Sequence, residues 1–210
     1  GVLKGKTWKF VNGEKLVKTN GRYDITTTTT NIIGNVNPDW IGGINNSLRY
    51  KNLTFNFLID IKKGGSVFSL DQYYGGATGV MPESALVNDK GNPSRATIPE
   101  GGGVIMPGVL ADGSKNTIRV ENEYGTYGYA YNPAHAFVYD AGFVKLREAN
   151  LVYSLPKSIV RQLGGVKGVD VSVFGRNLWI IDKSVPYADP EENLSAGNVQ
   201  GNQSGAYPTT

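Results

Sequence analysis

Between Leu53 and Lys62 the chain alternates strictly: Leu53, Phe55, Phe57, Ile59 and Ile61 share one parity, and Thr54, Asn56, Leu58, Asp60 and Lys62 share the other. The preceding run follows the same period, with Trp40, Gly42, Ile44, Asn46, Leu48 and Tyr50 set against Ile41, Gly43, Asn45, Ser47 and Arg49. Successive side chains of a strand point to opposite faces, so a period of two predicts two strands. Only Lys51 and Asn52 separate them. So short a link predicts an antiparallel hairpin, because parallel strands need a crossover of about a dozen residues. Each arm has roughly the 9–11 residues that a tilted strand needs to span a bilayer, against about 5–6 in soluble sheets. Trp40 and Tyr50 sit at opposite ends of the first arm, as rings at two headgroup layers would. A long twisted hairpin from a soluble sandwich or solenoid shows the same alternation, so periodicity leaves both readings open.

A second strand pair is predicted near residues 144–155 and 169–181, joined by a short helical turn from Pro156 to Leu163 that Gly164 and Gly165 end. The rest is less regular. Residues 1–36 carry a small polar strand around Thr7 to Val11, a turn at Asn12-Gly13 and a threonine run from Thr26 to Thr30; residues 69–136 hold GGATG, EGGG and the tyrosine-rich YGTYGYAYNP. A connection of that length inside a domain is functional, partly structured, or both. Short links alternating with long ones match the short periplasmic turns and longer external loops of outer-membrane barrels. The expected organisation is an external segment at 1–36, a membrane hairpin at 37–68, a long external loop at 69–136, a membrane strand pair with its periplasmic helical turn at 137–182, and an external loop at 183–210. The expected fold class is all-β: an antiparallel portion of a transmembrane barrel.

Composition narrows the classes. The 28 Gly, 10 Pro, 12 Tyr and 7 Phe among 210 residues suit a turn-rich β protein. A formal charge of +3, without a basic run interleaved with aromatics, argues against nucleic acid. No cysteine is present, so neither a disulfide framework nor a cysteine zinc site exists. No run approaches the roughly 18 apolar residues of a transmembrane helix, which says nothing against a barrel.

Catalytic chemistry finds little support. The lone histidine, His135, lies in Ala134-His135-Ala136 with no nucleophile signature nearby, and reads as a loop histidine. Asp189, Glu191 and Glu192 lack the ligand spacing of a calcium loop and read as solvated. Gly101, Gly102 and Gly103 lack the Lys-Ser/Thr of a phosphate loop and read as a flexible turn. No enzyme activity, metal or cofactor is expected. Trp8, Tyr73, Tyr74, Tyr124, Tyr127, Tyr129 and Tyr131 could stack on a sugar or peptide, or could pack the long loop against itself or a lid. On the hydrophilic face Arg49, Asn56 and Asp60 could line a solute path, or hydrogen-bond neighbouring strands or a plug.

The segments GNVNPDWIGGINNSLRYKNLTFNFLIDIKKGGSVFS, FVYDAGFVKLREANLVYSLPKSIVRQLG, VSVFGRNLWII and ADPEEN, in this order, resemble the C-terminal barrel region of the SusC/RagA family of TonB-dependent outer-membrane transporters. The resemblance covers about residues 32 to 210. It implies a 22-stranded plugged barrel, a SusD-like lipoprotein lid, energy from TonB, and import of glycans or peptides across the bacterial outer membrane. The family's plug and TonB box are not found in this chain, and Tyr207-Pro208-Thr209-Thr210 resembles the approach to the family's final strand. The expectation is a portion of a larger transporter, with the rest of the barrel, the plug, lipid, the lipoprotein and TonB as partners. A soluble or surface-anchored carbohydrate-binding module and a passive porin are the alternatives.

Overall fold

The computed structural model describes residues 1–191 and 201–203. The acidic Glu192 and the stretch Tyr207–Thr210 therefore lie outside the described residues. In chain order the elements are β1 (Val2–Gly5), β2 (Phe10–Val11), β3 (Glu14–Lys15), β4 (Asn31–Asn35), β5 (Trp40–Tyr50), β6 (Leu53–Lys63), β7 (Ser66–Ser69), helix α1 (Leu70–Thr78), β8 (Val104–Ile105), β9 (Arg119–Val120), β10 (Val138–Asp140), β11 (Phe143–Ser154), the short helix α2 (Lys157–Val160), β12 (Asp170–Lys183) and β13 (Asn202–Gln203). They fall into two compact units, one of them formed by Pro38–Gly64 with Ala141–Ser184, the other by the described remainder.

The first unit is a single antiparallel sheet in the order β12-β11-β6-β5. Tyr50 pairs with Leu53 across the two-residue link, which makes the predicted hairpin. Lys51 takes a left-handed φ of 53°, and the Asn52 side chain donates to the Ser154 carbonyl at 2.7 Å, so the turn is tied to the end of β11. Directly paired residues share a face, and the alternation becomes two-dimensional. Leu48, Phe55, Leu151 and Val173 form one row, and Ile44, Ile59, Leu146 and Trp179 another. Tyr50, Leu53, Tyr153 and Val171 close this apolar face at the turn end, while Trp40 stands at the other end of β5. The opposite face carries Arg49, Thr54 and Val152, then Ser47, Asn56 and Asn150, then Asn45, Leu58 and Glu148. Phe55, Leu48, Val173 and Trp179 are all exposed, so this apolar face has no covering layer among the described residues. Among the described residues β5 and β12 each pair on one side only, leaving two open edges.

β11 contains an irregularity. The apolar face takes even-numbered residues at Val144 and Leu146 and odd-numbered ones at Ala149, Leu151 and Tyr153. The switch is a β-bulge: Leu146 pairs with Ile59 and Glu148 with Leu58, so Arg147 is the extra residue.

The second unit joins three segments that are far apart in sequence. β1 pairs with β4, and β7 is the centre of a three-stranded sheet, antiparallel to β10 and parallel to β13. The strand pairs of the first unit run over Trp40–Lys63 and Phe143–Lys183, while Ser66–Ser69 and Val138–Asp140 pair with each other in the second unit. Asn12 and Gly13, at φ 51° and 85°, make the predicted turn between β2 and β3. Val17, Tyr23, Val104, Met106 and Val120 form the core, with Trp8, Ile25, Leu110 and Tyr127 packed on it. Buried Arg22 donates to Thr126 Oγ1, the Glu121 carbonyl and Glu123 at 2.8–3.0 Å and lies 4.1 Å from the Tyr131 ring. It fastens the tyrosine-rich loop to the N-terminal segment.

Residues 69–136 are ordered by polar groups more than by strands. Asn122 donates to the Ser84 carbonyl and to Ser94 Oγ at 2.8 and 2.9 Å, which satisfies two buried serines. Gly101 to Gly103 differ from the flexible turn expected of them. Their amides donate to Ile98, Thr97 and Ser94 at 2.9 Å each, and Thr97 and Glu100 form a capping box beneath.

Candidate functional site

Helix α1 starts at Ser69, whose hydroxyl accepts from the Gln72 amide, and ends at Gly79 with φ 77°. On it stand Tyr73 and Tyr74, and the loop 124–131 lies across it. The contact is backbone on backbone. A Cβ on Gly128 would sit 2.1 Å from the Ala77 amide nitrogen, and one on Gly76 would sit 2.5 Å from the Tyr127 carbonyl oxygen. With both positions bare, Gly125 N donates to Ala77 O at 2.9 Å and Tyr129 N to Tyr73 O at 3.2 Å.

That approach assembles four of the predicted residues. Tyr73 and Tyr129 stack with centroids 5.0 Å apart and planes at 23°, and Tyr74 meets both edge-on at 5.0 and 5.6 Å. The Tyr124 and Tyr129 hydroxyls are 2.5 Å apart. Phe68 and Phe137 back Tyr73 from below. Burial first, and then neighbouring Tyr74 and Tyr129, raise the Tyr73 phenol above its ordinary value; Tyr129 is raised by its hydrogen bond with Tyr124. Tyr74 and Tyr124 are exposed, giving an aromatic step with a buried half and an open half.

Trp8 and Tyr127 lie elsewhere. Both pack on the core, and the Lys15 ammonium stands 3.7 Å above the Trp8 ring centroid and 5.3 Å from that of Tyr23. Burial lowers the Lys15 pKa and raises that of Tyr23. His135 lies in a 3₁₀ turn with its ring 5.4 Å from Trp8, and its Nδ1 and Trp8 Nε1 are buried without partners among the described residues. A cleft of about 680 Å³ opens beside this group, lined by Lys15, Tyr23, Tyr127, Lys115 and the apolar stretch 104–107. Lys15, Tyr23 and Lys115 were not among the sequence candidates, since nothing in their local pattern marks them.

On the polar face of the sheet, Arg49, Asn56 and Asp60 occupy different levels and do not meet. Asp60 is engaged by Arg147, the bulge residue, whose Nη1 also donates to Asn177 Oδ1 at 3.0 Å. Asn177 itself has φ 48°. A bulge on β11 and a left-handed residue on β12 thus bring three strands' polar groups into one cluster. Asn150, opposite Asn56, keeps a buried Oδ1 without a partner among the described residues. The described residues offer no cluster of His, Asp and Glu able to hold a metal, and no helix is long and apolar enough to cross a membrane.

No protein-family model matches the chain. Among characterised proteins, it is 30% identical over 212 residues to TonB-dependent receptor P26 and 28% identical over 202 residues to TonB-dependent receptor P3, both of Formosa agariphila. These similarities take in 95% and 93% of this chain but 19% and 18% of the two receptors. The chain therefore spans about a fifth of the length of the curated relatives it matches. In fold it superimposes on the RagAB peptide importer in its open-open state with a TM-score of 0.51, at 16% identity, covering 86% of this chain and 19% of that one. The resemblance drawn from the motifs is borne out: the curated relatives are TonB-dependent receptors, and the antiparallel sheet, which does not close among the described residues, shares the fold of part of that importer. The relatives are receptors and a transporter, in keeping with the expectation that the chain is not an enzyme.

Proposed function

We propose that this chain forms part of the wall and outer portion of a TonB-dependent outer-membrane importer that takes up glycans or peptides with a SusD-like lipoprotein. The observation that carries the reading is the sheet itself. One face is apolar and uncovered, with Trp40 and Tyr50 at opposite ends of β5, and the other bears the Asp60–Arg147–Asn177 cluster. Apolar outside and polar inside is the arrangement a membrane barrel requires. In hydrocarbon every backbone donor and acceptor needs a partner, so the open edges of β5 and β12 pair with further strands of the same barrel. The unsatisfied Asn150 suits a polar face that a plug packs against. Lys51-Asn52 and residues 156–168 face the periplasm, and the segments 1–36 and 69–136 are external. The aromatic step of Tyr74, Tyr124 and Tyr129 meets incoming solute or the lipoprotein lid.

The test is uptake in a host carrying the full-length receptor, with and without TonB. Uptake that disappears without TonB supports the importer; undiminished uptake makes the protein a passive porin and overturns the reading. In intact cells an added protease should cut within 69–136 before 156–168. The reverse order inverts the proposed topology.

A further inference from the structure

The cleft beside Lys15 is chemically one-sided. Its side-chain acceptors are largely used by the protein. Asn88 Oδ1 accepts from the Lys90 and Asn92 amides, Asn116 Oδ1 accepts from the Ile118 amide, and both Asp89 oxygens are held by Arg119 at 2.6 and 2.7 Å. The Asn88, Asn116 and Asn132 amide nitrogens donate to backbone carbonyls, but four donors are left: the Lys15 and Lys115 ammoniums and the Tyr23 and Tyr127 hydroxyls make no hydrogen bond or ion pair within the protein among the described residues. Lys15 is held over Trp8 instead of ranging through solvent, and Asp89, the one carboxylate among the described residues that line the cleft, is already neutralised by Arg119. A cleft with free donors, two uncompensated cations and an apolar wall selects a ligand rich in acceptors, negatively charged, and apolar on one side. A sugar acid meets this description: it has a carboxylate, ring and hydroxyl oxygens that accept, and an apolar C–H face, and its volume suits a site within the usual range of roughly 300–1,000 Å³.

We propose that this cleft binds a carboxylate-bearing sugar unit of an acidic oligosaccharide, with Lys15 and Lys115 taking the charge, Tyr23 and Tyr127 donating to its oxygens, and residues 104–107 lying against its ring. The proposal names the substrate class of the importer and rests on that reading.

The experiment is calorimetric titration of the detergent-purified full-length receptor with digalacturonate, the neutral disaccharide galactobiose, and a short acidic peptide. Digalacturonate should bind about tenfold or more tightly than galactobiose, the worth of one charge-assisted hydrogen bond. Lys15→Gln should remove that preference, and it should weaken as salt is raised. Lys115 is exposed, so Lys115→Gln leaves folding intact and should reduce the same preference. Equal binding of the two sugars, a preference unchanged in both variants, or binding of the peptide alone would overturn the proposal. TonB-dependent uptake of another nutrient beside such a result would leave the importer reading standing; loss of the importer reading would show instead as uptake independent of TonB.

Discussion

The Arg147 guanidinium donates to one carboxylate oxygen of Asp60 from both Nε and Nη2, at 3.2 and 2.5 Å. The two residues are 87 positions apart and lie on adjacent strands. Arg147 can reach because it is the bulged residue and has no directly opposed partner on β6. Bulges commonly re-aim a side chain in this way. Both side chains are only about a quarter exposed, 23% and 27%, so the pair is screened less than a surface ion pair. Arg147→Met, which strands Asp60, should cost about 1.5–3 kcal/mol, the range for a charged hydrogen bond. Asp60→Asn keeps an acceptor and should cost less. Chemical denaturation of the full-length receptor in detergent checks the order of the two.

Gly128 is the second point of sensitivity. A methyl group there meets backbone, not a flexible side-chain end, so the loop has to move off α1. Gly128→Ala should destabilise the second unit by about 1–3 kcal/mol, the usual cost of overpacking. It should also separate Tyr73 from Tyr129, which the near-ultraviolet circular dichroism of the stacked rings would register. An unchanged tyrosine spectrum would contradict the close approach.

The two faces of β6 make opposite predictions for one substitution. Phe57→Arg puts a charge on the face assigned to lipid and should cost about 2–4 kcal/mol near the bilayer midplane. Asn56→Arg, one residue away, should be tolerated. Single cysteines at the same two positions give a direct reading: a water-soluble maleimide should label position 56, and a lipid-soluble probe position 57. Labels exchanged between them would reverse the sheet.

High pH should weaken the second unit. Tyr23, Tyr73, Tyr127 and Tyr139 all have pKa values raised above 10.0, with burial as the leading cause. A phenol whose folded-state pKa exceeds its unfolded one leaves the folded state holding more protons between the two values. Stability is then intact below the ordinary tyrosine pKa and lost as pH rises through the folded one. Thermal unfolding between pH 8 and 11 should show the midpoint level until about pH 10 and falling above it. Absorbance at the tyrosinate band should place part of the tyrosines above the ordinary titration.

What the sequence determined by itself is the periodic part. The parity of Leu53 to Ile61 yields both faces of β6 because a strand has a period of two, and Lys51-Asn52 yields the antiparallel pairing because so short a link allows no other. Tertiary structure alone decided what joins across the sequence: that Arg147 meets Asp60 and Asn177, that Tyr73 stacks on Tyr129, and that Lys15 and Lys115 line one cleft. Residues 1–36 and 69–136 each look like loop because their order comes from contacts distant in sequence: Arg22 ties the first segment to the second, and Asn122 and the bare backbone at Gly76 and Gly128 tie the second to itself. Local pattern reports the geometry of a strand. Contacts between residues a hundred positions apart depend on which segments pack together, and that is a property of the folded unit.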